Sequence, residues 1–200
     1  MYRLVVATGN AHKFDEIRAI IGDIGVDWIP GTDIPAGPVE ETGETYESNA
    51  LIKAAVYARE SGLPALADDS GLEVDALNGL PGVRSNRFFG PGLTDAEKIA
   101  KLLKLLAGVP DSERTARFVC HAVIVEDGNP VCSVRGAVEG VIIHEPRGSD
   151  GFGYDPVFLV PGLGRTFAEI PENEKSAVSH RGRAMRRVRD FLLQRVNQSW

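Results

Sequence analysis

The chain has 200 residues, 43% hydrophobic and 25% charged, with 28 acidic against 22 basic side chains and a net charge of −6. That length supports a sizeable buried core and one domain over residues 1–200, with room for two lobes. The ordinary composition excludes disorder, the acidic balance argues against a nucleic-acid binder, and no apolar run approaches the length of a membrane span.

Met1–Thr8 lacks the long apolar stretch of a signal peptide, and two cysteines, Cys120 and Cys132, are too few for a disulfide framework. These features point to the cytoplasm and to two buried free thiols. No Cys or His spacing suggests zinc.

Arg3–Ala7 reads as a buried strand, and a helix follows from about Lys13 to Ile21 with Phe14, Ile17, Ile20 and Ile21 on one face. The turn between them, Thr8-Gly9-Asn10-x-x-Lys13, offers backbone N–H groups at a helix start. Its lysine opposes the helix macrodipole and so calls for an external negative partner. Thr8 or Asn10 could equally serve as a plain helix cap. The Gly-x-x-x-x-Gly-Lys-Ser/Thr loop of P-loop proteins is absent.

Residues 31–43 read as a loop ending in Glu40-Glu41-Thr42-Gly43, and an Ala-rich helix runs from about Thr45 to Glu60. Tyr46, Asn49 and Lys53 share one face of it. Glu41 could bind metal or favour the helix dipole, and Asn49 and Lys53 could simply face solvent. Leu63–Ala67 is a short strand leading into Asp68-Asp69-Ser70-Gly71, at the strand end where open α/β sheets place ligands. Two hard carboxylates there suit Mg²⁺, and one aspartate could act as a general base toward water. A capped Asp-Ser turn is the plain alternative.

Further on, a helix covers about Asp95 to Ala107 with Thr94 as N-cap, and strands at Arg117–Val125 and Val131–Ile143 flank an Asp127-Gly128-Asn129-Pro130 hairpin turn. A strand at about Pro156–Val160 follows the Gly-rich stretch Gly148–Tyr154, and a last helix lies within Glu174–Arg195. Gly151-Phe152-Gly153-Tyr154-Asp155-Pro156 and Lys175-x-x-x-Ser179-His180-Arg181 could receive a flat base by stacking and hydrogen bonding. A Gly-rich turn with core aromatics, beside a charged helix, is the alternative. Arg181, Arg183, Arg186, Arg187 and Arg189 read as a solvated helix face, with RNA contact as a second option. The fold class is α/β or α+β with a mixed sheet.

In order and spacing, five motifs resemble the inosine triphosphate pyrophosphatase family: Thr8-Gly9-Asn10-x-x-Lys13, Glu41-Thr-Gly-x-x-Tyr-x-x-Asn49-Ala-x-x-Lys53-Ala, Ala67-Asp-Asp-Ser-Gly-Leu-x-Val-Asp75 with Leu80-Pro-Gly-Val83, Gly151-Phe-Gly-Tyr-Asp-Pro156, and Lys175-Ser-Ala-Val-Ser-His-Arg181. The likeness extends from about Arg3 to Met185. It implies an elongated α/β fold with two lobes flanking a nucleotide-binding cleft, a homodimer, and Mg²⁺-dependent hydrolysis of ITP, dITP and XTP to the monophosphate and pyrophosphate.

Carried over residue by residue, Thr8, Asn10, Lys13 and Lys53 hold the triphosphate, with Gly9, Ala11 and His12 of the same turn also at the substrate. Glu41 and Asp69 hold Mg²⁺; Asp69 is also the proton acceptor, supported by Asp68 and Lys53. Ser70, Phe152, Gly153, Tyr154, Asp155, Lys175, His180 and Arg181 contact the nucleoside. Tyr46 stands where the family has phenylalanine, which keeps the ring. Two other readings are a Maf-like pyrophosphatase for other bases and a nucleotide-binding module without turnover.

Overall fold

The computed structural model describes residues 1–198. It contains β1 (Tyr2–Val6), α1 (Ala11–Ile21), β2 (Val26–Pro30), α2 (Tyr46–Ser61), β3 (Ala65–Val74), α3 (Asp95–Leu105), β4 (Thr115–Glu126), β5 (Asn129–Ile142), β6 (Phe158–Val160), β7 (Arg165–Thr166), α4 (Glu172–Val178) and α5 (His180–Gln198). The strands form a seven-stranded sheet in the order β2-β1-β3-β4-β5-β6-β7. It is mixed: β1 runs parallel to β2 and β3, while β6 runs antiparallel to β5 and β7. The α/β expectation therefore holds. Among the described residues no helix is long and apolar enough to cross a membrane.

The chain divides into two compact units. The first comprises Met1–Asp69, Cys120–Gly136 and the chain from Arg181 on. Here Leu4, Val6 and Leu66 from β1 and β3 pack with Ile17 and Ile21 of α1 and with Ala184, Met185, Val188 and Leu192 of α5. Val5, Ala7, Ala65 and Ala67 alternate with these and pack with Ala50, Ala54 and Ala58 of α2. Successive strand residues point to opposite faces, so the continuous apolar runs of β1 and β3 are what a sheet covered on both sides requires. Each fully buried Leu or Ile contributes about 1.5–3 kcal/mol of transfer free energy.

The second unit comprises Ser70–Val119 and Ala137–His180. Its core gathers Leu72 and Val74 of β3, Ile99 and Leu102 of α3, Phe118, Phe158, Phe167 and Ile170. Arg114 is also buried there, its guanidinium donating to the carbonyls of Ile142, Leu106 and Ile143 at 2.7, 2.8 and 3.2 Å.

Three expectations need correction. Asp68–Gly71 is not a turn at a strand end: Leu72 and Val74, both fully buried, carry β3 straight on to Val74. The last helix is two, α4 and α5, separated by Ser179 in an extended conformation. The strands β2 and β7 were not read from the sequence, and the strand expected from Pro156 begins only at Phe158 after a short 3-10 turn. The β4–β5 hairpin is as expected, its turn made by Asp127 and Gly128 with φ of 49° and 77°. Positive φ at both positions matches the twist of the strands.

Candidate active site

In the first unit β1 ends at Val6, paired with Leu66, and β3 runs on past it. Asp68 and Asp69 thus stand beyond the carboxyl end of β1, beside the turn that β1 feeds. In that turn Thr8 Oγ1 accepts from Asn10 N at 3.1 Å, and Asn10 Oδ1 accepts from Lys13 N at 3.3 Å, so Asn10 is the N-cap of α1. Gly9, Asn10, Ala11 and His12 are exposed, and the first-turn N–H groups lack intrahelical acceptors. Gly31, just after β2, lies beneath the turn: a Cβ there would come within 2.6 Å of Val6 O and 2.7 Å of Thr8 O.

The strand alternation sends the adjacent carboxylates to different helices. Asp68 follows Leu66 toward α1 and α5, where its Oδ1 meets Lys13 Nζ at 2.7 Å and its Oδ2 meets Arg181 Nε at 3.4 Å. Arg181 Nη1 also donates to Glu16 Oε2 at 2.8 Å, and Cys120 Sγ lies 3.7 Å from Asp68 Oδ2. Burial alone would raise the Asp68 pKa, but the charges of Lys13, Arg181 and Lys53 outweigh it and hold the carboxyl well below the usual range. For Arg181, burial works against the charge, and Asp68 and Glu16 more than offset that, so the guanidinium is held more firmly than usual.

Asp69 follows Ala65 and Ala67 toward α2. Its Oδ2 accepts from Asn49 Nδ2 at 3.0 Å, and its Oδ1 lies 3.7 Å from Lys53 Nζ. Lys53 Nζ donates to Glu41 Oε1 at 2.8 Å. Burial raises the Asp69 pKa and Glu41 adds to it, prevailing over the opposing effects of Lys53, Asn49 and Lys13. The Lys53 ammonium is desolvated, yet Asp68, Asp69 and Glu41 keep its pKa above the ordinary value. Asn49 is fully buried, correcting its solvent-facing reading, and its Oδ1 accepts from Gly43 N at 2.8 Å. It thereby ties the Glu41 loop to the Asp69 carboxylate.

Glu41 and Asp69 both face the Lys53 ammonium, so two hard-oxygen donors already converge on one cation. That donor set fits a Mg²⁺ site of one or two carboxylates completed by water and substrate phosphates. Among the described residues no group of three His, Cys, Asp or Glu side chains converges as a metal site.

The remaining expected residues lie in the second unit, except Arg181. Asp155 is buried and accepts from Phe152 N at 2.9 Å and from Lys175 Nζ. The Lys175 ammonium also lies 5.0 Å from the Phe152 ring centroid and 5.5 Å from that of Phe167. Phe152 itself is 58% exposed, an unusual state for a large apolar ring. Gly151 must be glycine: at φ +77° its Cβ would lie 2.1 Å from Asp155 Oδ2. Gly153 N donates to Asp95 Oδ2 at 2.7 Å, and Tyr154 OH to Ser85 O at 3.1 Å. Burial, with Asp95 adding, pushes the Tyr154 phenol up to about 12. The His180 ring stacks on Phe118, with centroids 4.8 Å apart and planes at 12°. Ser70 is partly exposed on β3.

Sequence reading missed Glu16, Gly31 and Asp95, and it named Asn49 without giving it a role at the site. Glu16 and Asn49 had a signal, being polar residues three and four positions from Lys13 and Lys53 on the same helix faces. Gly31 and Asp95 had none. The late arginines are engaged within the first unit: Arg187 donates to Arg135 O at 2.7 Å and Arg189 to Ile21 O at 3.0 Å. Cys120 and Cys132 are free and buried, as expected.

Fold and site together define a class: α/β proteins with a two-carboxylate, two-lysine centre at the carboxyl edge of a parallel strand pair. The chain resembles the dITP/XTP pyrophosphatase of Shigella flexneri, with 48% identity over 196 residues, 96% of this chain and 98% of that one. Among solved structures, a HAM1 protein from Coxiella burnetii superposes with a TM-score of 0.91 at 44% identity, covering 97% of this chain and 100% of that one. The Ham1 protein of Staphylococcus aureus gives 0.86 at 37% identity, covering 95% and 97%. The model of the Ham1 family matches residues 4–191, and the chain belongs to that family.

Proposed function

We propose that this chain hydrolyses noncanonical purine nucleoside triphosphates, namely dITP, XTP and ITP, to the nucleoside monophosphate and pyrophosphate, with Mg²⁺ as cofactor. The observation that carries the reading is the split between Asp68 and Asp69. Asp68 is paired with Lys13 and Arg181, while Asp69 shares the Lys53 ammonium with Glu41. The relatives named dITP/XTP pyrophosphatase, aligned over nearly the whole chain, support the same reaction.

In this reading the N–H groups of Gly9, Asn10, Ala11 and His12, with Thr8 and Lys13, receive the triphosphate. Asp69 takes a proton from water as the water oxygen bonds to the α-phosphorus and the bond to the bridging oxygen of pyrophosphate breaks. A base so placed contributes roughly 10²–10⁴-fold. Asp68, held ionised, keeps Lys13 and Arg181 in place. Mg²⁺ on Glu41 and Asp69, when bound, offsets negative charge on the leaving pyrophosphate. Lys53 supplies positive charge to the same region. Phe152, Tyr154, Asp155, Lys175 and His180 receive the base, and their donors suit a 6-keto edge rather than the amino group of adenine. The reading carries with it a cytoplasmic homodimer.

Release of pyrophosphate from ITP, dITP, XTP, ATP, GTP and dTTP, with Mg²⁺ and with EDTA, tests the proposal. Metal-dependent release from the inosine and xanthine nucleotides is expected. Preference for dTTP or UTP would support the Maf-like alternative, and orthophosphate release would overturn the reaction.

A further inference from the structure

Outside the residues that the proposed reaction uses, Asp95 makes one contact that bears on the base-receiving loop. Asp95 is the first residue of α3, following the N-cap Thr94. The capping work there is complete without it: Thr94 Oγ1 accepts from Glu97 N at 3.3 Å, and Glu97 Oε2 accepts from Thr94 N at 2.8 Å. The Asp95 carboxylate is turned instead to the loop. Its Oδ2 accepts from Gly153 N at 2.7 Å, while its Oδ1 pairs with Lys98 Nζ at 3.1 Å.

The loop is anchored at its start by Ser149 N and Asp150 N, both donating to Ala168 O at 3.1 Å. Phe152 N is held by Asp155. On the α3 side a cavity of about 270 Å³ is lined by Asp95, Ala96, Ile99 and residues of the loop. A loop facing open space is held by its hydrogen bonds, and here the bond from Gly153 N reaches across to α3. Gly153 at φ +63° has no side chain of its own with which to pack.

We infer that Asp95 is a positioning residue for base recognition: by accepting from Gly153 N it fixes where the exposed Phe152 ring stands, and so sets affinity for the base rather than the rate of the phosphoryl step. This rests on the proposed reading of the Phe152–Asp155 loop as the base site. Asp95 acts through the backbone of the loop, so its removal should act on KM.

The test compares Asp95→Ala, Asp95→Asn and Lys98→Ala with the parent protein, using ITP and Mg²⁺. Asp95→Ala is expected to raise KM by about five- to tenfold, the worth of one charge-assisted hydrogen bond at a partly exposed site, with kcat within about twofold. Asp95→Asn, which retains an acceptor, should restore most of the affinity, and Lys98→Ala should leave KM unchanged. Amide hydrogen exchange over residues 148–155 reads the same effect without turnover. Asp95→Ala should speed exchange there and leave the rest of the chain unaltered. If exchange in the loop is unchanged, or if Asp95→Asn behaves as Asp95→Ala, the inference falls. If exchange responds but the parent protein hydrolyses no purine triphosphate, the anchoring stands and the reading of the loop as a base site is what fails.

Discussion

Asp68 and Asp69 are joined by one peptide bond yet meet opposite layers of the first unit, Asp68 Oδ1 at 2.7 Å from Lys13 Nζ of α1 and Asp69 Oδ2 at 3.0 Å from Asn49 Nδ2 of α2. The period of two along a strand produces this directly. Had the chain turned at Asp68, both carboxylates would have shared one solvated environment. A strand passing through the pair gives each its own counter-charges and its own pKa.

Asp69→Asn is expected to lower pyrophosphate release by at least about 100-fold, the lower bound for loss of a positioned base. The asparagine oxygen can still accept from Asn49, and a desolvated charge is removed, so the thermal midpoint should stay within a few degrees. A melting curve beside the assay checks both. Retained turnover would remove Asp69 from the base role.

Asp68 gives a pH prediction for the metal-free protein. Its folded pKa is depressed, so its stabilisation is present above the ordinary carboxylate pKa and is lost as pH falls toward the folded value. At neutral pH Asp68→Asn removes the carboxylate charge that faces the buried guanidinium of Arg181, and should cost about 3–5 kcal/mol. That gap should narrow steadily as pH is lowered below about 4, because the unfolded parent chain then takes up a proton at Asp68 that the folded protein does not. Denaturant titrations of both proteins across that range measure it; a gap independent of pH would contradict the assignment.

Glu41→Gln should act on the metal requirement. Replacing one of the two converging carboxylates is expected to raise the Mg²⁺ concentration for half-maximal rate by roughly tenfold or more, with much of the rate recovered at saturating metal. Rate against free Mg²⁺ distinguishes this from a simple loss of kcat, which would point to a different role for Glu41.

Gly31→Ala should disturb the phosphate turn from below. Its Cβ would meet the Val6 oxygen, the Thr8 oxygen and the Thr8 nitrogen at 2.6, 2.7 and 2.8 Å, all backbone atoms that cannot swing aside. A stability loss of about 1–3 kcal/mol is expected from the overpacking. A raised KM for the triphosphate should accompany it as Thr8 shifts. Thermal melting and substrate titration read the two effects separately.

Much of this was legible in the residues. Apolar periodicity gave α1, α2, α3 and the β4–β5 hairpin, and the acidic pair stood out because an apolar run led into it. Periodicity failed where polar groups occupy core positions. Asp68 and Asp69 interrupted the apolar pattern and so disguised the middle of β3 as its end, although both are buried among partners from other segments. Glu16 has the look of a surface residue until Arg181, 165 positions away, is brought beside it. Gly31 and Asp95 act through backbone groups of distant residues, and no local pattern encodes that. The stretch between Val160 and Glu172 was equally opaque, since the two-residue strand β7 carries no readable alternation.

Two of the four crossings of the chain between the two compact units fall inside motifs, between Asp69 and Ser70 and between His180 and Arg181. The residues assigned to phosphate and metal therefore belong to a discontinuous scaffold of three segments, and those assigned to the base, Arg181 excepted, to two inserted segments. The other two crossings, between Val119 and Cys120 and between Gly136 and Ala137, fall inside β4 and β5. For protein engineering, residues 70–119 and 137–180 would have to be exchanged together, because a single-segment graft would divide the core that the two segments build between them.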